Sequence, residues 1–275
     1  MSIPVLRSVH IHPVKAMRAL SRTEAEVQPW GLAHDRRWTV VDSAGKIVTQ
    51  RKHPRLALAS AEPTADGGVV LSAPGHPTLE VGVPDASLGT ITTEVFEDLV
   101  EAVPAGPEAA AWVSAYLGID ARLVHMDAPE LRRPVAPKYA LPGETVTFAD
   151  GYPVLVATTA SLDALNVLIA QGDHAHEGPL PMSRFRPNLV VDGTEAWAED
   201  GWTRLAVGEV TFRVARDCGR CVVTTTDQDT AARGKEPLRT LARHRNIDQR
   251  TIFGQLLVPE HRGTVRVGDQ VTILG

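Results

Sequence analysis

Apolar and polar residues alternate over short stretches from the start of the chain. The pattern is partial in Leu6-Arg7-Ser8-Val9-His10-Ile11 and returns in Trp38-Thr39-Val40-Val41-Asp42, ahead of the turn residues Ser43-Ala44-Gly45. A period of two places successive side chains on opposite faces, which is the signature of strands with one buried face. Further short strands are expected near 55–61, 68–72, 78–82 and 91–97, separated by Gly, Pro and Asp. Strands this short and this regularly interrupted predict a barrel or sandwich. The spacing then becomes helical. Pro107 opens a helix with Ala111, Trp112, Ala115 and Tyr116 on one face and Gly118 as its stop. A second helix is expected over 161–171, capped by Thr159 or Ser161, with Leu162, Leu165, Leu168 and Ile169 as its apolar stripe. A third, about 236–245, has Pro237 in its first turn and buries Leu238 and Leu241. The proline-rich stretch Pro129 to Gly143 predicts a loop between two parts of the chain, and Gly172 to Arg184 a second loop. The result is a mixed α+β, β-rich chain, and the apolar stripes are core.

Charge narrows the function classes. With 28 Lys+Arg against 33 Asp+Glu, the 275 residues carry a formal net charge of −5, so there is no broad basic field for nucleic acid. The first residues lead directly into a strand, without the charged start and apolar core of a secretory leader. No run approaches the roughly 18 apolar residues of a membrane span. Two cysteines fit a reducing compartment and no disulfide framework. A cytoplasmic protein with no membrane partner is expected.

Both cysteines lie in Asp217-Cys218-Gly219-Arg220-Cys221-Val222-Val223-Thr224-Thr225-Thr226-Asp227. A thiolate is a soft ligand that selects thiophilic metals, and the neighbouring Arg220 favours the ionised thiol. A zinc site would need four ligands at close spacings, but there is no third cysteine, and His244 and His261 are isolated. A redox pair belongs at a helix start, whereas Val-Val-Thr-Thr-Thr is a strand former. In a regular strand, residues three apart face opposite ways, so a single thiolate ligand is expected. Two ordinary half-buried cysteines remain the bland alternative. His174 and His176 form a His-x-His pair that can bind metal, but on a polar Gly/Pro-rich loop such pairs are usually solvated.

Several motifs in order carry a resemblance. Arg220 to Asp227, Lys235-Glu236-Pro237-Leu238, Phe253-Gly254-Gln255 and Gly263-Thr264-Val265-Arg266-Val267-Gly268-Asp269 resemble the molybdenum cofactor sulfurase C-terminal (MOSC) domain. His12-Pro13-Val14-Lys15, Asp35-Arg36-Arg37-Trp38 and Thr49-Gln50-Arg51 resemble the β-barrel domain that precedes MOSC in the branch of the amidoxime-reducing components. The resemblance implies a MOSC β-barrel core with peripheral helices over 125–275 and an N-terminal MOSC β domain over 1–124. The first 40 or so residues of that domain would contribute to the cofactor site.

The resemblance also implies chemistry. The family's molybdenum is held by a pterin dithiolene, two oxygens and one cysteine, and the matching cysteine is Cys221. Lys15, Arg36, Arg186, Asn188, Gly219 and Arg220, with the turn Asp150-Gly151-Tyr152, fall where the family contacts the cofactor. Arginine forks suit its phosphate. Asp227 is a candidate proton donor, with turn stabilisation as the alternative. Pyridoxal phosphate binding is a family-level association with no step in this chemistry. The implied activity is reduction of small N-hydroxylated substrates by oxygen removal. Electrons are expected from a separate ferredoxin-type or flavin reductase partner, since no Gly-x-Gly-x-x-Gly turn and no cluster cysteines are visible. The alternative is a sulfur-carrier or cofactor-carrier module acting through Cys221. Ala16 in place of a common serine, Gly219 in place of another, and Leu256 in place of a tyrosine are departures that bear on affinity and substrate choice.

Overall fold

A computed structural model of the chain describes residues 3–96, 98–136 and 138–275. Among these residues the largest sheet has nine strands and curls into a half-barrel. From one edge it runs Val271–Ile273, Arg204–Val207, Val210–Gly219, Arg250–Pro259, Val154–Thr158, Leu189–Asp192, Val5–Ile11 and Leu20–Arg22, with Asn246–Ile247 added to Arg250–Pro259. One pair, Val154–Thr158 with Leu189–Asp192, is parallel, and the helix Thr159–Ala170 makes the crossover. Alternating residues fill the inner face, among them Leu6, Val9, Val154, Val156, Leu205, Val207, Phe212 and Leu257.

The long pair Val210–Gly219 and Arg250–Pro259 loses register twice, between Val214 and Arg216 and between Asp217 and Gly219. Each irregularity bends the strand and re-aims its side chains. Gly254 permits a close approach here: its φ is +78°, and a Cβ would lie 2.5 Å from the carbonyl oxygen of Val156.

The remaining strands build the N-terminal half. Trp38–Asp42, Ala121–His125, Asp98–Pro104 and Ile91–Val95 form one sheet, and Ser60–Pro63, Val69–Ala73 and His76–Val81 a second. The helix Pro107–Leu117 covers their shared core, where the Trp112 indole donates to the Pro77 carbonyl at 2.7 Å. N-terminal and C-terminal strands interlock. Val5–Ile11 pairs with Leu189–Asp192, and Gly263–Arg266 pairs with Glu24–Gln28. No helix among the described residues is long and apolar enough to cross a membrane.

Four expectations need correction. Residues 55–61 are not one strand: Pro54 starts a 3-10 turn, Pro54–Leu58, and the strand begins at Ser60. The helix expected from 161 begins at Thr159, because the cap is the Thr158 hydroxyl, which accepts from the Ser161 amide at 3.2 Å. The loop after Pro129 contains a short helix, Pro129–Arg132, with proline and Glu130 in its first turn. The strand from 91 ends at Val95, and residue 97 lies outside the described residues.

The cap also explains a buried carboxyl. Ser161 and Thr158 both donate to Glu199 Oε2, at 2.8 and 3.1 Å, while Oε1 has no partner. Burial pushes the Glu199 carboxyl up, partly offset by Ser161. A carboxyl raised in the folded state stabilises fully below its unfolded pKa, and that contribution is lost as pH rises. Glu199→Gln should therefore raise stability at pH 8, on the order of 1 kcal/mol, and give no gain at pH 4. Denaturant titrations at the two pH values check this.

Candidate functional site

A cavity of about 330 Å³ opens where the two halves meet. One wall comes from the turns following Val5–Ile11 and preceding Trp38. Lys15 is 8% exposed and donates to the Phe148 carbonyl at 2.7 Å and to the Asp150 carboxylate. Burial lowers the Lys15 ammonium, and Asp150 opposes that shift. The Asp150 carboxyl is held well below the usual range: desolvation works against ionisation there but is outweighed by Lys15, Arg36 and Arg51. Its side chain is nevertheless 64% open to solvent, so the pair sits at the cavity surface.

Arg36 takes a left-handed backbone, φ 49°. Its Nη1 donates to Asp35 and, at 3.1 Å, to Asn188 Oδ1, and its Nη2 reaches the Arg186 carbonyl at 3.4 Å. Asn188 is fully buried and spends its amide on the fold. Oδ1 also accepts from the Leu155 amide at 3.1 Å, and Nδ2 donates to the His10 carbonyl at 3.1 Å. Asn188 thus fixes Arg36. Arg186 is also left-handed, φ 54°, and its Nη1 donates to Gln228 Oε1 at 3.1 Å. Gln228 exchanges two further bonds with Gln50, at 3.1 and 3.0 Å.

This corner concentrates positive charge. Burial, followed by the nearby Arg36, pushes the Arg186 guanidinium down to about 9. His12 beneath them is fully buried and kept neutral, first by burial and then by Arg36 and Arg186. Guanidiniums crowded to this degree form a ready site for an anion.

The thiols occupy the opposite wall, and here an expectation fails. Val222–Thr225 is a 3-10 turn, not a strand. The Thr224 and Thr225 hydroxyls donate back to the carbonyls of Cys221 and Val222 at 2.9 and 2.8 Å, closing the turn that β propensity alone would not select. Cys218 therefore ends a strand while Cys221 begins a turn, and both line the same cavity. The Cys221 sulfur lies 3.6 Å from Arg51 Nη2. Burial pushes the Cys218 thiol up, only partly offset by Arg220, whose Nη1 donates to that sulfur at 2.8 Å. Arg220 Nη2 is held by the Phe185 carbonyl at 2.5 Å. Arg220 thus sits on Cys218 and not on Cys221.

Lys15, Arg36, Asp150, Tyr152, Arg186, Asn188, Gly219, Arg220 and Cys221 all line the cavity. Gly151 does not; with φ 97° it makes the turn that presents its neighbours. Asp227 is also outside the lining. Its Oδ1 accepts from Asp229 N, Thr230 N and Thr230 Oγ1 at 3.0, 2.8 and 2.9 Å, and Oδ2 faces Arg184 at 3.3 Å. Desolvation is outweighed by these bonds and its carboxyl is lowered, so it is a turn-stabilising carboxylate without a proton to give. Arg184 completes that turn through the Thr224 carbonyl at 3.4 Å.

Arg51, Arg216 and Arg250 line the cavity without having been singled out. Arg51 stands in the quoted Thr49-Gln50-Arg51 motif, so a signal was present. Arg216 and Arg250 carried none, and for Arg216 the irregular strand register decides where it points. Among the described residues, His174, His176 and Glu177 have ligand atoms within 4.8 Å of one another, but away from the cavity lining. Glu177 there accepts from the Lys235 and Glu236 amides.

Two family models match the chain in order. The MOSC N-terminal beta barrel domain matches residues 3–120, and the MOSC domain matches residues 143–272. Mitochondrial amidoxime-reducing component 1 of Mus musculus is 34% identical over 283 residues, 96% of this chain and 81% of that protein. The Homo sapiens protein of the same name is 34% identical over 289 residues, again 96% and 81%. A molybdenum cofactor sulfurase of Danio rerio is 30% identical over 88% of this chain but only 30% of its own length. With both domains matched in order and 34% identity across almost its whole length, the chain belongs to the MOSC family, in the group that includes the mitochondrial amidoxime-reducing components.

Proposed function

We propose that this chain holds a molybdenum cofactor in the cavity and reduces N-hydroxylated compounds by removing their oxygen. The observation that carries the reading is the pairing of a cavity-lining thiol, Cys221, with the crowded guanidiniums of Arg36 and Arg186 on the same cavity. The donor set fits the group. Cys221 offers the soft ligand that molybdenum takes, and Arg36 and Arg186 offer planar forks suited to a phosphate. Gly219, without a side chain, leaves its backbone open beside the thiols. When bound, the cofactor supplies the two-electron chemistry that breaks the nitrogen–oxygen bond, with two electrons and two protons leaving the oxygen as water.

The chain's own residues position and neutralise. Asn188 and Asp35 lock Arg36, the Gln50–Gln228 pair holds Arg186, and Arg184 with Asp227 fixes the turn that starts at Cys221. Lys15 and Asp150 keep opposite charges side by side at the cavity surface. Asp227 is assigned to the turn, not to proton transfer. The substrate class follows the names of the amidoxime-reducing relatives, and as electron donor we propose a separate ferredoxin-type or flavin reductase protein.

A carrier of sulfur or cofactor is the second reading, favoured by the cofactor-sulfurase relative and by a second thiol in the cavity. Protein produced in a cofactor-competent host separates the two. Reduced by a viologen, it should convert an N-hydroxyamidine to the amidine in proportion to its molybdenum content. Full molybdenum occupancy with no turnover across several N-hydroxy substrates, together with cyanide-labile sulfur on Cys221, would establish the carrier instead.

A further inference from the structure

We infer that Phe96 selects among N-hydroxylated substrates by offering an aromatic face beside the cavity, next to the lining residues Lys15 and Arg51, favouring those whose reacting group sits on a flat aromatic body. The inference rests on the reductase reading. Phe96 follows the strand Ile91–Val95 with φ 57°, a conformation uncommon for a bulky side chain and found where surroundings impose it. The ring is 52% exposed, so the fold has not buried it in a core.

Its placement gives that exposure a purpose. The ring centre lies 5.8 Å from Lys15 Nζ and 5.9 Å from Arg51 Cζ, and both cations line the cavity. Arg51 in turn lies 3.6 Å from the Cys221 sulfur. The ring therefore stands one side chain away from the thiol. The segment is also anchored. Asp98 accepts from Arg133 Nε at 2.8 Å, and Arg133, 3% exposed, donates to the Thr147 and Ala149 carbonyls at 3.1 and 2.7 Å. Ala149 directly precedes Asp150, so Asp98, which opens the strand after Phe96, is tied to the segment bearing the Lys15–Asp150 pair. Lys15 and Arg51 are charged, and Phe96, itself outside the lining, adds an apolar π face beside them. A planar aromatic body can stack there with its N-hydroxy group directed at Cys221. Hydroxylamine has no body to stack.

The test compares benzamidoxime with hydroxylamine under viologen reduction, in the native protein and in Phe96→Leu and Phe96→Tyr. Phe96→Leu should lower the ratio of kcat/KM for benzamidoxime over hydroxylamine about three- to tenfold, through KM and not kcat. Phe96→Tyr should keep the native ratio. An unchanged ratio in Phe96→Leu, or a loss appearing in kcat alone, overturns the assignment. Ligand-observed NMR of benzamidoxime binding gives a readout without turnover: Phe96→Leu should weaken it by the same factor, and equal binding overturns the inference. Absence of all turnover in the native protein would instead count against the reductase reading, while the binding comparison still decides the role of Phe96.

Discussion

Cys221→Ser should lose viologen-driven turnover and retain less than about a tenth of the native molybdenum, since replacing the soft ligand costs more than the roughly 10–100-fold of an outer-shell change. Cys218→Ser should leave metal content within about twofold. The contrast follows from surroundings. Cys218 is buried toward its neutral form and occupied by Arg220 at 2.8 Å, whereas Cys221 stands at the start of a turn pinned by Arg184 and two threonine hydroxyls. Plasma mass spectrometry of both variants decides it, and intact metal in Cys221→Ser would remove the assignment.

Arg36→Ala and Arg186→Ala should each lower pterin occupancy, because each deletes a charge-assisted contact worth roughly 1.5–3 kcal/mol, about ten- to a hundredfold in affinity. Their effects on stability should differ. Arg36 is the cation beside Asp35, which is 1% exposed, so Arg36→Ala leaves a buried carboxylate short of its partner and should destabilise by about 3 kcal/mol. Arg186 meets only a neutral amide, and Arg186→Ala should cost less than about 1 kcal/mol. Fluorescence of the oxidised pterin measures occupancy, and urea titration measures stability. Equal stability losses, or unchanged pterin in both, would contradict this division of roles.

How far the site could be read from the chain depended on what fixes each residue. The helix Pro107–Leu117 was legible because Trp112 and Tyr116 keep helical spacing between a proline start and a glycine stop. Cys221, Arg36 and Arg186 stood out as residue types in an ordered set of motifs, whereas their partners could not be seen. Nothing local announces that Asn188 spends its amide on His10 and Leu155, residues 178 and 33 positions away. The turn at 222–225 was misread because β-branched residues favour strands, while here threonine hydroxyls bonding back to their own chain prevail. Arg216 was invisible for another reason: a register shift in the ten-residue strand Val210–Gly219 decides which face it takes.

X-ray absorption at the molybdenum edge tests the central claim most directly, because it counts the sulfur atoms around the metal in the intact protein. Three sulfurs are expected, two from the dithiolene and one from Cys221, falling to two in any metal that Cys221→Ser retains. Two sulfurs in the native protein, or three in both, would contradict it.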